Sequence, residues 1–240
     1  MGPRAVAAVI PVLDEEAAIA DVVTGVLAHV ATVVVVDGNS KDRTVERAWA
    51  AGAEIVVESR RGYGRAIRAG IAAVPPATEF VLFIDGDGSD RTDRIPQLLA
   101  PLLAGEADFV HGTRLAGDRE PGSLALAQIV AGHLAGLLIQ LLYGVRYTDM
   151  SPFRAIRRDT FDRLGMRDET FGWNLEMQMR VAASGLRLVE IPVGQRRRQG
   201  GASKVSGHPL VALRVVWVLV WTFLRLAATL RRERRVRPNS

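Results

Sequence analysis

Three aspartates fall within six positions in Phe83-Ile84-Asp85-Gly86-Asp87-Gly88-Ser89-Asp90, directly after the apolar run Phe80–Ile84. Crowded carboxylates repel, and each raises the pKa of its neighbour. A divalent cation is the usual counterweight. The spacing Asp85-x-Asp87 suits Mg²⁺ or Mn²⁺, because two oxygen donors at the mouth of a strand hold a hard ion and leave room for phosphate oxygens. Taken alone, the pair also reads as a solvated turn with a helix N-cap. A calcium loop is excluded: it needs Gly at its sixth position and Glu at its twelfth, where Asp90 and Pro96 stand.

The elements that must position these groups alternate. Val6–Val12, Thr32–Val36, Glu54–Val57, Glu79–Ile84 and Asp108–His111 read as strands. Helical spacing runs over Glu15–His29, Asp42–Ala51, Gly64–Ala73 and Arg94–Leu103. Such alternation predicts an α/β fold with a mostly parallel sheet flanked by helices, whose ligands bind beyond the carboxyl ends of the strands. Asp14, Asp37, Asp85 and Asp87 fall at three such ends. Acids recurring there are harder to dismiss as turns than one cluster alone. Further on, residues 122–145 carry no formal charge with His133 neutral, so a helix apolar nearly all round is expected, buried or in contact with lipid. Phe153–Ile156 and Leu186–Val193 read as strands and Asn174–Ser184 as a helix. The stretch Gly62-Tyr63-Gly64-Arg65-Ala66-Ile67 imitates a dinucleotide fingerprint, but Ile67 stands where the last glycine belongs.

The chain has 240 residues, 48% hydrophobic, enough for one large α/β domain or a domain with an appendage. It has no cysteine, which excludes disulfides, thiolate metal sites and a thiol nucleophile and fits a reducing compartment. Its apolar N-terminal stretch is too short for a signal peptide and stops at Asp14-Glu15-Glu16. Net charge is +5, and Arg231–Arg237 concentrates base in a run of the kind that meets anionic lipid or nucleic acid.

Together these stretches resemble the family 2 glycosyltransferases. "VIPVLDEEAAI" is similar to their opening strand and loop, "VVVVDGNSKDRT" to the second strand, "GYGRAIRAGI" to a glycine-rich helix start, and "FVLFIDGDGSD" to the D-x-D strand. "GTR" at 112–114, "TDMSPFRAIRR" at 148–158 and "RQGGASK" at 198–204 resemble the polyprenyl- or dolichyl-phosphate mannose and glucose synthases in particular. The sequence departs from the family where Asp14 replaces a frequent Asn, Ser89 a frequent Gln and Pro152 a frequent Gly.

The resemblance implies a GT-A fold, a nucleotide-sugar donor with GDP-mannose and UDP-glucose both open, a divalent metal, and inversion at the anomeric carbon. It places the metal on Asp85 and Asp87, and leaves open whether Asp85 binds ribose instead. On the donor side it puts Asp14, Glu15 and Asp37 near base and ribose, Pro11 and Leu13 against the base, and Ser40, Gly64 and Gly86 beside them. Its cationic positions are Arg114, Arg154, Arg198 and Lys204, with Ser151 and Ser203 alongside, matching an anionic acceptor such as polyprenyl phosphate. Asp87, Arg114, Asp149 and Arg198 are the groups expected to act in transfer. A phosphate nucleophile is already ionised and needs no general base, so Asp149 is expected to orient Arg114 or the acceptor, and Glu176 to be a helix-surface charge.

The last segment carries its own signal. Pro209–Leu230 is apolar except for Arg214, Thr222 and Arg225. A central arginine costs a membrane span roughly 2.5–3.5 kcal/mol, and the uninterrupted run from 215 to 224 rises only about 15 Å. Arg214, Arg225 and Arg232 lie within roughly 20° of one another on a helix. A basic stripe beside Trp217 and Trp221 describes a helix in the membrane interface plane, with a core helix as the alternative. The expected division is therefore a catalytic domain over 1–205 and a membrane-associating helix with a basic tail over 206–240. The chain is read as a peripheral enzyme on the cytoplasmic face of an anionic membrane, with no nucleic acid partner. Two rivals remain: a family 2 transferase acting on a hydroxyl acceptor, which needs Asp149 or Glu176 as base, and a non-catalytic nucleotide- or lipid-binding module.

Overall fold

Val6–Val12 carries no polar side chain, and such a strand is stable only with both faces covered. In the computed structural model, which describes residues 6–170, 172–200 and 209–236, it is an interior strand of a seven-stranded sheet. In chain order the elements are β1 (Val6–Val12), α1 (Ile19–Leu27), β2 (Thr32–Asp37), α2 (Thr44–Ala50), β3 (Glu54–Val57), α3 (Tyr63–Ala73), β4 (Phe80–Phe83) and α4 (Ile95–Leu103). They continue with β5 (Phe109–Thr113), α5 (Leu126–Tyr143), β6 (Arg154–Arg157), α6 (Arg158–Leu164), α7 (Trp173–Ser184), β7 (Leu188–Pro192) and α8 (Pro209–Val236).

The strand order is β3-β2-β1-β4-β6-β5-β7, and only β6 runs against its neighbours. Side chains alternate between two cores. Ala7, Val9, Val34, Val36, Val81 and Phe83 face the side covered by α3, α5, α7 and α8. Val6, Ala8, Ile10, Val33, Val35 and Leu82 face the side covered by α1 and α4. The order reverses between β1 and β4, which pair from Val6↔Phe80 to Val9↔Phe83. A parallel sheet opens its ligand crevice at such a reversal.

Two helices start later than their spacing predicts. α1 begins at Ile19, because the Glu15 N–H donates to Thr44 Oγ1 (2.8 Å) and the Glu16 N–H to Asp42 Oδ2 (3.1 Å), which ties these residues to the neighbouring loop. α2 begins at Thr44 for the same reason. β5 runs on to Thr113, and α6 was not anticipated: its seven residues follow β6 without a break.

α5 is long and apolar enough to cross a membrane by length and composition. One side of it, Ala131, Gly132, Ala135, Gly136 and Ile139, is nevertheless packed inward. α8, which the sequence sets apart as a membrane appendage, packs on α5 and α7. Its Leu219, Phe223, Leu226, Ala227 and Leu230 belong to the same buried cluster as Ala135 and Met179. Phe223→Ala is therefore expected to cost about 3–5 kcal/mol, and at roughly 2–4 °C per kcal/mol for a chain of this size to lower Tm by on the order of 10 °C. Trp221→Ala, on the exposed side of the same helix, should leave Tm nearly unchanged. Thermal melts of the two variants check this; equal melts would mean that α8 does not share the core.

Candidate active site

The crevice between β1 and β4 gathers Leu13, Asp14 and Glu15 from one strand end, Asp37 from β2, and Asp85 and Asp87 from β4. Asp37 is buried and accepts from the Asn39 N–H (3.0 Å) and the Ser40 N–H (3.2 Å). Ser40 Oγ accepts from the Asp14 N–H (2.9 Å), and Asp14 Oδ1 from the Lys41 N–H (2.7 Å). These side chains knit two strand-end loops together. Pro11 and Leu13 are half-buried beside them.

Gly86 answers to packing: a Cβ there would lie 2.4 Å from Val12 Cγ1. Its lack of a side chain lets the D-x-D loop press on β1. Asp87 Oδ1 accepts from the Ser89 N–H at 2.9 Å. Asp90 was not expected in the site. It is buried and accepts from the Asp85 N–H at 3.0 Å. Burial, then the Asp90 and Asp87 charges, push Asp85 well above the ordinary carboxylate range. Burial likewise pushes Asp90 up to about 7. The signal is positional: the sequence shows Asp90 only as a residue standing where a calcium loop needs glycine, and its contact with the Asp85 N–H depends on the fold of the loop.

Carboxylates driven upward in this way fit a divalent cation. Among the described residues no three Asp, Glu, His or Cys side chains form a closed metal cage. Such a site matches Mg²⁺ or Mn²⁺ held by one or two carboxylates with phosphate oxygens completing the shell. Ser89 is buried, and its Oγ accepts from Gln195 Nε2 at 3.2 Å.

Arg198, expected among the acceptor contacts, stands beside Glu15 and Asp87. Its guanidinium bonds Glu15 and lies 3.5 Å from Asp87 Oδ2. The segment carrying it crosses the D-x-D loop, with the Gln199 N–H donating to Asp87 O (3.2 Å) and the Arg196 N–H to Ser89 O (2.9 Å). Ser203 and Lys204 lie outside the described residues.

Arg114 and Asp149 form a buried bidentate pair: Nε donates to Oδ2 and Nη2 to Oδ1, both at 2.7 Å. The Arg114 N–H also reaches Oδ2 (3.0 Å), and the Met150 N–H reaches Oδ1 (2.7 Å). Asp149 titrates at about 2: burial works against its charge, and the Arg114 hydrogen bonds and charge overcome it. Asp85 and Asp90 also act on the Arg114 charge, so its guanidinium is the cation shared by this acidic group.

Other expected contacts are placed elsewhere. Ser151 and Arg154 are fully buried. Ser151 Oγ accepts from the Phe153 N–H, while Arg154 donates to the carbonyls of Asn174 (3.2 Å) and Ser151 and lies against the Trp173 ring. Neither presents a group to an acceptor. Gly64 is a glycine because a Cβ would stand 2.0 Å from the Asp168 carbonyl oxygen, so it seats residues 168–170 and does not face a donor. Glu176 is no surface charge. It is fully buried and accepts from the Arg167 and Asp168 N–H groups and from Arg180 Nε (2.7 Å).

A mostly parallel sheet of this order, with acids at its reversal, is the GT-A architecture of glycosyltransferases. Residues 7–165 match the family described as Glycosyl transferase family 2, and the chain belongs to it. It is 36% identical over 225 residues to an uncharacterised glycosyltransferase of Mycobacterium bovis, covering 92% of this chain and 100% of that one. It is 28% identical over 200 residues to an undecaprenyl-phosphate mannosyltransferase of Micrococcus luteus, covering 79% and 81%. Among solved structures, glucosyl-3-phosphoglycerate synthase of Mycobacterium tuberculosis with Mn²⁺, uridine diphosphate and glucosyl-3-phosphoglycerate gives a TM-score of 0.71. The identity is 23% over 94% of this chain and 80% of that one, a likeness of fold.

Behind the Arg114–Asp149 pair lies His111, fully buried, with Nε2 3.0 Å from Asp149 O. A carbonyl can only accept, so Nε2 carries the proton. Burial, then the Arg154 charge, lowers His111 to about 3. A histidine depressed in the folded state supports stability fully above its unfolded pKa, near 6.5, and loses that support as pH falls towards the folded value. Between pH 7 and pH 5 the loss from His111 should be about 2 kcal/mol. His111→Gln, which keeps an N–H donor but does not titrate, should remove that part of the slope. Urea unfolding of both proteins at the two pH values measures the difference, and parallel slopes would refute it.

Proposed function

We propose that the protein moves a hexose from a nucleoside-diphosphate sugar to a polyprenyl phosphate, as a peripheral enzyme on the cytoplasmic face of an anionic membrane. One observation carries this reading: neither carboxylate considered as a base is available to act as one. Asp149 is clamped by Arg114 and titrates at about 2. Glu176 is buried under Arg180 and two N–H groups. A hydroxyl acceptor needs a base, whereas a phosphate monoester arrives ionised.

In this reaction an acceptor phosphate oxygen forms the new bond to the anomeric carbon from the far face. The bond to the donor diphosphate breaks, its electron pair leaves with the diphosphate, and the centre inverts. Arg114 uses Nε and Nη2 on Asp149, which fixes its plane and leaves Nη1 for an anion. Arg198, beside Asp87 and Glu15, serves the diphosphate side. A divalent cation on Asp87 and Asp85 would neutralise the leaving diphosphate; the Mn²⁺ and uridine diphosphate bound by the mycobacterial synthase support that assignment.

The outward faces of α5 and α8 support a lipid acceptor. Leu126 (75% exposed), Val130, Leu137 and Leu141 fall within about 60° on α5, opposite its buried side. Trp217 (66% exposed), Trp221 and Leu224 do the same on α8, and the two indoles stack at 6.3 Å. Arg231 and Arg232 are exposed nearby, while Arg225 pairs with Asp168 at 2.8 Å. The Arg214 side chain lies outside the described residues, so the basic stripe is represented by its lower part. Aromatic and apolar rows beside arginines describe an interface helix.

Purified protein with Mn²⁺ should transfer labelled sugar from either GDP-mannose or UDP-glucose to a short-chain polyprenyl phosphate, and not to phosphoglyceric acid or a sugar alcohol. Transfer to a hydroxyl acceptor without transfer to the lipid would overturn the reading. Asp87→Ala should lose about a hundredfold or more in turnover while melting like the parent; near-normal turnover would remove Asp87 from the metal. Flotation with anionic vesicles tests the membrane face. Binding should weaken with salt without vanishing, and should be lost when Leu126, Leu141, Trp217 and Trp221 are all changed to Glu.

A further inference from the structure

α7 places Gln178 among Met177, Met179 and Val181 with no solvent exposure. Its Nε2 donates to Asp149 O at 2.8 Å, while its Oε1 has no partner. The amide orientation follows from chemistry, since only an N–H can meet a carbonyl oxygen. His111 reaches the same oxygen from β5 (3.0 Å), and the two nitrogens lie 3.4 Å apart, two donors converging on one acceptor. A buried amide with an orphan oxygen is costly where a leucine would pack. Fixing the Asp149 peptide offsets that cost. The peptide carries the carboxylate that sets the plane of Arg114, and both Asp149 oxygens are already engaged. A rotation of this peptide would turn the guanidinium away from the crevice.

We propose that Gln178 is a positioning residue for transfer, holding Asp149 from behind so that Arg114 faces the acceptor anion. The inference rests on the reading that Arg114 serves the acceptor. Gln178 touches neither substrate, and its influence passes entirely through the Asp149 backbone. The titratable and charged groups around it are His111 on β5, Tyr147 and Asp149 in the segment before β6, Arg154 on β6 and Glu190 on β7.

Gln178→Glu tests this. The protonated acid has the amide's shape and donates to Asp149 O; the carboxylate cannot donate and repels that oxygen. Burial raises its pKa into a usable range. From about pH 5.5 to about pH 8.5, kcat/KM for polyprenyl phosphate in Gln178→Glu should fall at least about tenfold relative to the parent, as expected for one lost buried hydrogen bond. The donor KM should stay within about twofold. The Arg114 Nε–H proton resonance, assigned by its loss in Arg114→Lys, should match the parent at low pH and shift or broaden at high pH. This second readout needs no acceptor. If the parent transfers nothing to polyprenyl phosphate, the proposed function fails, while the resonance still decides whether Gln178 holds the pair. Should the buried charge unfold Gln178→Glu at high pH, Gln178→Met carries the test, with an altered resonance and about a tenfold loss for the acceptor at every pH. A parent-like resonance and parent-like constants in the folded variant would overturn the proposal.

Discussion

Negative charge gathered at the carboxyl ends of β1, β2 and β4 sets the terms for everything around it. Asp37 and Asp90 among these acids, and Asp149 from the segment before β6, are buried, where unpaired charge is expensive. The chain answers each differently. Asp37 is capped by backbone N–H groups, Asp149 by a bidentate arginine, and Asp90 is driven towards the neutral form beside Asp85. The result is a graded site, with Asp149 held ionised by its arginine, and with Asp85 and Asp90 shifted towards the neutral form until positive charge is added.

Arg114 and Arg198 divide the cationic work. Arg114 is buried and fixed by a partner that is itself held from three directions. Arg198 is partly exposed, sits on a segment that crosses the D-x-D loop, and contacts Glu15 and Asp87 together. A rigid guanidinium suits an anion that must be aligned for attack, and a segment-borne one suits a group that binds and then departs.

Much of this was legible in the sequence. Unbroken apolar runs such as Val33–Val36 named the central strands, and the acids directly after them named the crevice. Residues whose roles depend on long-range packing were not legible. Gly64 and Gly86 looked like ligand-facing glycines, but their missing side chains admit the Asp168 carbonyl and Val12. Arg154 looked like a phosphate contact because its type and motif suited one. Only the pairing of β6 between β4 and β5 shows that it points into the core. Glu176 lies on a helix whose charge pattern gave no hint that it would be enclosed by the turn at 167–168. Asp90 was in plain view, but its value comes from the backbone N–H of Asp85, a contact that spacing alone does not reveal.

α5 shows how the two halves of the proposed reaction meet. The helix has no charged side chain to mark an orientation, and its composition alone allows a buried, a spanning or a surface helix. The packing gives it two faces. Its inner row is built of small residues, so the helix sits directly on the segment before β6: a Cβ on Gly132 would come within 3.3 Å of Asp149 Oδ1. Its outer row is leucine and valine facing away from the sheet. A helix with side chains is about 10 Å across. The apolar surface and the carboxylate that orients Arg114 are thus separated by little more than one helix. An acceptor with an ionised phosphate and a hydrocarbon tail has that same division of character. In the proposed reaction its phosphate meets the fixed guanidinium while its tail stays against the outer rows of α5 and α8, without lifting the lipid far from its bilayer.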